Sequence, residues 1–286
     1  MERVDVMKRK LFCEISPLTY KISRVKEITK RHMKNIVSNT KLAKTKDKEM
    51  LPVLLKKHKS LIRRKLNNVD LQLQENKAKN LSLACPKVTN ILIKPGETFS
   101  FWKLVGELTE KGGYLNGVTI KNGYPNSDVG GGMCQFTNLI HWLVLHVDLD
   151  IVEHHHHNGL DLFPDYKRQI PFGTGTSIVY NYLDYRFKNN TNKTYQLITY
   201  TTNEYLCGEI RTTEPLDIKI HIREEEAYFY EQDNKYYRHN KIYRKVIDKV
   251  TGNIKEDKLI LENHAKVMYD YELIDKEKLR TITKIA

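Results

Sequence analysis

The chain has 286 residues, with 48 Lys+Arg against 35 Asp+Glu and a formal net charge of +13. Residues 1–70 hold 20 of the basic and 7 of the acidic residues, so the whole excess sits in the first quarter; a uniformly basic, nucleic-acid-coating protein is excluded. A hydrophobic content of 40% with 17 tyrosines excludes wholesale disorder, and the length suits one large domain or two smaller ones.

Residues 1–68 interleave basic and apolar side chains, as at Ile22, Val25 and Ile28 and again at Leu51, Leu54 and Leu55, and the spacing predicts helix. Two readings stay open: a helical face packed on the core with its charges solvated, or a surface for anionic lipid headgroups or nucleic acid. Phe12 and Tyr20 are the only aromatics there, which weakens the nucleic-acid case. No apolar stretch precedes a small-residue cleavage site, so no signal peptide is expected.

Residues 75–92 carry a helical pattern (Leu81, Leu83, Ala84, Val88, Ile91) that Pro86 kinks unless it sits early. Lys94-Pro95-Gly96-Glu97 is a turn signal before a short strand at Thr98 to Phe101. Gly112 to Gly130 reads as loops, Cys134 to Val147 as a long apolar helix, and Leu149 to Glu153 as a strand. The uncharged run Val129 to Val147 reaches membrane-span length, but Gln135, Asn138, His141 and His146 would be costly in hydrocarbon, so a buried helix is expected. From Ser177 onward the pattern is strands: 177–182, 184–189, 195–201, 204–211, 217–223, 240–249 and 255–262, with Thr251-Gly252-Asn253 as a hairpin turn. Cys13, Cys85, Cys134 and Cys207 lie far apart without a CxxC pair, the usage of reduced thiols in a cytoplasmic protein.

The sharpest chemical feature is Gly130-Gly131-Gly132-Met133-Cys134-Gln135 entering a helix. A thiol in the first helical turn meets the positive end of the helix dipole, which favours thiolate. Backbone N–H groups of that turn, with Gln135, can form an oxyanion hole, and the three glycines allow close approach of a ligand. The plainer reading is a tight turn with Cys134 packed as a small apolar residue.

His154 to His157 follow at a strand end. Alternation puts His155 and His157 on one side, and His154 and His156 on the other, with Glu153 on the face away from His154 and His156. An imidazole returning beside Cys134 would make a cysteine–histidine dyad. Two same-face histidines plus the thiolate could instead bind Zn²⁺, or the run could be a solvated strand end. His141 lies two turns up the helix from Cys134, too far to reach the sulfur, and His146 lies farther; both read as core or rim histidines. Asp161, Asp165 and Asp184 are candidates to orient the base. No dinucleotide glycine fingerprint, P-loop, GxSxG elbow, HExxH or EF-hand loop is present, so no cofactor is expected.

Lys94 to Phe101, Tyr114 to Gly123, Gly130 to Gln135, Ile151 to Glu153 leading to His157, and Tyr182-Leu183-Asp184 to Thr191 resemble, in order and spacing, the VanW family. The resemblance covers about residues 75–212. It implies a link to glycopeptide (vancomycin) resistance or the cell envelope, in a family without an established reaction. It also implies that Cys134 and His157, with His155 second, stand at the family's positions. The family commonly has an Asp where this chain has Gly175; if that Asp orients the base, Asp184 takes its place here. The missing leader fits a cytoplasmic precursor, or a role outside wall chemistry, better than an extracytoplasmic substrate.

The expectation is an α+β fold: a basic helical N-terminal region (1–70), a VanW-like helix-plus-antiparallel-sheet domain (71–212), and a β-rich C-terminal extension of the same body (213–286). The leading functional expectation is a cysteine-dependent acyl-transfer or amide-hydrolysing enzyme acting on a peptide-like cell-wall precursor. Cys134 would be the nucleophile, His157 or His155 the base, Asp184 its orienting group, Gln135 an oxyanion donor, and Gly130, Gly131 and Gly132 the ligand loop. The competing expectation is a non-catalytic ligand- or partner-binding accessory module, or a metal site. Expected partners include an anionic membrane surface for the basic region and no specific nucleic acid; the sequence sets no oligomeric state.

Overall fold

The structure, a computed structural model, describes residues 11–63, 70–121, 124–156, 159–162, 164–165 and 168–281. Helix α1 (Pro17–Val37) begins with a capping box in which the Ser16 hydroxyl accepts from Thr19 N–H and Thr19 answers to Ser16 N–H, with Pro17 in the first turn. Its orientation is inverted relative to an ordinary surface helix. Leu18, Ile22, Val25, Met33 and Ile36 fall within an arc of about 80° at 3.6 residues per turn, and each is at least half exposed. The side that meets the body is polar. Arg31 bonds Glu153 and the Tyr182 carbonyl, Asn35 Oδ1 accepts from Arg186, and the Ile28 carbonyl accepts from Asn181.

Helix α2 (Leu71–Val88) starts at Asp70, whose carboxylate caps Gln72 N–H. Pro86 falls in the last turn, so the lost backbone bond is confined to the helix end. β1 (Val53–Leu61), β2 (Ile91–Ile93), β9 (Tyr195–Thr201) and β10 (Tyr205–Thr212) form an antiparallel sheet in the order β1-β10-β9-β2. A second, three-stranded sheet has the order β3 (Thr98–Ser100), β8 (Arg186–Lys188), β6 (Asp150–Glu153), with Phe99 stacked on Phe187 at 4.6 Å. The short helix α3 (Phe101–Val105) and helix α4 (Met133–Val144) complete the main core, where Leu81, Ala84, Val88, Phe101, Phe136, Leu139, Ile140 and Leu143 are buried together.

Three regions differ from the sequence expectation. Residues 53–61 form strand β1 rather than helix, because the chain there pairs along its length with β10 and a register shift between Leu54 and Lys56 breaks the two-residue alternation. The Gly- and Asn-rich stretch expected as loops forms a hairpin, β4 (Asn116–Lys121) and β5 (Tyr124–Val129). Residues 177–182 form no strand and contribute one isolated bridge, Val179 to Leu183.

The C-terminal strands are long: β11 (Ile218–Gln232), β12 (Lys235–Asp248) and β13 (Ile254–Val267), flanked by β14 (Leu279–Arg280) and β7 (Leu160–Asp161) in a five-stranded sheet. Gly252, with φ +73°, makes the expected hairpin turn between β12 and β13. Phe229, Val267 and Ile274 form a small core of their own in this sheet. The mixed α+β class read from the sequence is the observed one. No helix among the described residues is long and apolar enough to cross a membrane.

Candidate functional site

The glycine turn owes its residues to close packing. A Cβ on Gly131 would lie 2.2 Å from the Gly117 carbonyl carbon, so the hairpin strand β4 passes against bare backbone. Gly132, the residue before α4, has φ +112°, and a Cβ there would lie 2.6 Å from Lys77. Gly130 is similarly filled by Leu108. The chain itself thus occupies the space that the three missing side chains leave.

Three N–H groups in and beside the turn are engaged as well. Gly130 N–H donates to Leu115 O at 3.0 Å, Gly131 N–H to Asp128 O at 3.1 Å, and Gln135 N–H to Gly132 O at 3.0 Å. The Gln135 side-chain amide donates to Ser60 Oγ at 2.9 Å and Leu61 O at 2.8 Å, which commits both of its donors to the end of β1. Gln135 therefore ties α4 to the first sheet.

Cys134 is the second residue of α4, half-buried and packed against the main core. Burial pushes the thiol's pKa up, and backbone hydrogen bonding at Ile178 and at Cys134 itself opposes this without prevailing. The helix start supplies a favourable dipole, yet desolvation dominates. Cys85 is also driven up by burial, to about 12. Two surface clefts, one at Arg63, Glu75 and Lys79 and another at Glu231 and Arg280, do not include Cys134 in their walls.

The histidines divide into two settings. His154 stacks on His141 with ring centres 4.2 Å apart, and meets His156 edge-on at 4.3 Å. The His154 Nε2–H donates to the Gly175 carbonyl at 3.0 Å, while His141 Nδ1 pairs with the Tyr185 hydroxyl at 3.0 Å. Burial, then the neighbouring His154 and His156, hold the His141 pKa well below its ordinary value. His154 is lowered by burial, with its Gly175 bond opposing. Both are neutral, hydrogen-bonded interior imidazoles at neutral pH. Asn138 Oδ1 accepts from Thr176 N–H and Oγ1, so the 174–178 segment runs along α4 beside these rings.

His155 turns the other way, to Glu153 Oε1 at 3.1 Å. Glu153 also receives both Nη atoms of Arg31, at 2.5 and 2.7 Å, and the Asp184 N–H at 2.9 Å. Burial opposes its charge, but the bonds from Arg31, Asp184 N–H and His155 outweigh it and hold the carboxyl below the ordinary range. Asp184 is 1% exposed and serves elsewhere. It accepts from Ser100 Oγ at 2.5 Å, Trp102 N–H at 3.1 Å, Tyr185 N–H at 2.9 Å and Arg186 Nε at 2.6 Å. The carboxylate beside His155 is thus Glu153, two residues away along an extended strand, and this same-face spacing was visible in the sequence. The His141–His154 stack was not, because it joins two elements through a loop.

His157, the first-choice base, lies outside the described residues. Among the described residues, metal-ligating atoms do not converge at the histidine run; the one convergence is in the C-terminal sheet.

A family model described as VanW like protein matches residues 76–211. The chain is 31% identical over 227 residues to the vancomycin B-type resistance protein VanW of Enterococcus faecalis, covering 79% of this chain and 82% of that protein. The chain belongs to the VanW family. It is also 30% identical over 122 residues to the uncharacterized protein YoaR of Bacillus subtilis, covering 42% of this chain and 37% of that one. No solved structure matches it. In this VanW-family chain, the glycine turn, Cys134, the histidine run and Asp184 all fall inside the matched segment, whereas α1, β1 and the strands β11 to β14 lie outside it.

Proposed function

We propose that this VanW-family protein serves glycopeptide (vancomycin) resistance as a non-catalytic accessory module, binding peptide-like cell-wall precursor at an anionic membrane surface. The observation that carries the non-catalytic reading is the setting of Cys134. A nucleophilic thiol needs a lowered pKa and free donors for the oxyanion. Here burial raises the pKa, and the N–H groups of Gly130, Gly131 and Gln135, with the Gln135 amide, are already bonded.

The membrane part rests on α1. Its apolar stripe faces away from the body, and Lys21, Lys26 and Lys30 flank that stripe, the arrangement of a helix lying in a headgroup layer. The resistance part rests on the likeness to the Enterococcus faecalis protein, whose name carries that role.

The functional test is Cys134→Ser in cells whose vancomycin resistance depends on this chain. A folded variant that retains full resistance is the expected result. Loss of resistance by a folded, normally expressed variant would reject the binding-module reading in favour of a cysteine–histidine hydrolase or acyltransferase.

A further inference from the structure

Strands β12 and β13 pair in a register that sets His239 directly opposite His264. Glu262 is two residues before His264, so it shares that face and lies diagonally from His239. One nitrogen or carboxylate oxygen from each of the three lies within 4.8 Å of the others, and the two rings are 4.4 Å apart.

The buried member is incompletely satisfied. His239 is 3% exposed; its Nε2 is 3.4 Å from Glu226 Oε2, but its Nδ1 is buried without a hydrogen-bond partner. An enclosed imidazole nitrogen left bare costs free energy that a bound cation would recover. With Nε2–H donating to Glu226, Nδ1 presents a lone pair, and an outer carboxylate orienting a ligating imidazole is the usual second layer of a metal site. Lys241 does not leave Glu226 unbalanced, since its Nζ is 2.9 Å from Oε1 of that residue.

We propose that His239, His264 and Glu262 bind a divalent transition-metal ion, with Zn²⁺ the best match. Two imidazoles and one carboxylate are a zinc donor set, whereas Ca²⁺ and Mg²⁺ take oxygen ligands. Metal–ligand bonds of about 2.0–2.2 Å require the three atoms to draw closer than they stand. His264 and Glu262 are exposed side chains and can make that movement while His239 stays fixed in the sheet. Water completes the coordination on the open side. Bound there, the ion clamps β12 to β13 in the sheet that lies beyond the family-matched segment.

The test uses the full chain without an affinity tag, stripped with chelator and dialysed, then titrated with Zn²⁺ by equilibrium dialysis and by thermal unfolding. The wild type should take up one zinc per chain in this site and unfold at a higher temperature with zinc. His264→Ala and Glu262→Gln change exposed side chains and leave the sheet core intact; each should weaken that uptake by at least about tenfold, and His264→Ala should abolish the thermal shift. A wild type that takes up no zinc, or uptake that falls by less than tenfold in His264→Ala because the ion sits at the 154–157 run, would overturn the proposal.

Discussion

Asp184 holds the corner where α3, β8 and the segment before β8 meet. Its two oxygens accept from Ser100 Oγ, two backbone N–H groups and the Arg186 guanidinium, with almost no solvent contact. Asp184→Asn keeps the shape but removes the charge opposite a buried Arg186, and breaking one side of such a pair costs about 3–5 kcal/mol. Urea unfolding of the variant measures this, and a loss below about 1 kcal/mol would show that Glu153, 3.6 Å from Arg186, replaces Asp184 unaided. Asp184 and Glu153 were both visible as carboxylates near histidines. The sequence reading chose Asp184 to orient the base, whereas the carboxylate bonded to His155 is Glu153. Spacing alone cannot reveal that Asp184 is saturated by a helix start 80 residues earlier.

At the scale of elements, α1 is held by polar contacts and turns its apolar stripe outward. Its period and composition made the helix legible in the sequence; which face meets the body was not, because that depends on Arg31 and Asn35 finding Glu153 and Arg186 more than a hundred residues away. The same physics hid the hairpin β4–β5. Its sequence has weak strand propensity, and it is pinned from α2, where Asn76 bonds Asn116 O and Asn80 bonds both Leu115 O and Gly131 O. By contrast β9 and β10 were read within a residue of their limits, whereas β11 to β13 were found but read short, since β11 runs on to Gln232, β12 begins at Lys235 and β13 runs on to Val267. The α1 stripe gives a direct expectation: the chain should co-sediment with vesicles containing anionic lipid and much less with neutral vesicles. Val25→Asp with Ile36→Asp, both at exposed positions, should reduce that binding at least about tenfold. Equal binding by wild type and double variant would remove the membrane contact.

For the whole molecule, the net charge of +13 sits in residues 1–70, with the helix α1 among them, and residues 71–286 are neutral. The candidate site lies in that neutral body, where desolvation is the governing force. It neutralises His141 and His154, and it holds His58 and His146 to about 4. The sequence displayed the residue types of a cysteine–histidine site in the right order. Whether the helix dipole or burial controls the thiol could not be read from it, because burial is set by tertiary packing such as that of Cys134 on the main core and of the 174–178 segment along α4.

The pH dependence of Cys134 alkylation, followed peptide by peptide in the intact protein so that Cys13, Cys85 and Cys207 are resolved, tests this balance most directly. A desolvated, protonated thiol predicts slow labelling with an apparent pKa above the free-cysteine value of about 8.5. Rapid labelling at neutral pH with an apparent pKa clearly below that value would contradict it and identify Cys134 as an activated nucleophile.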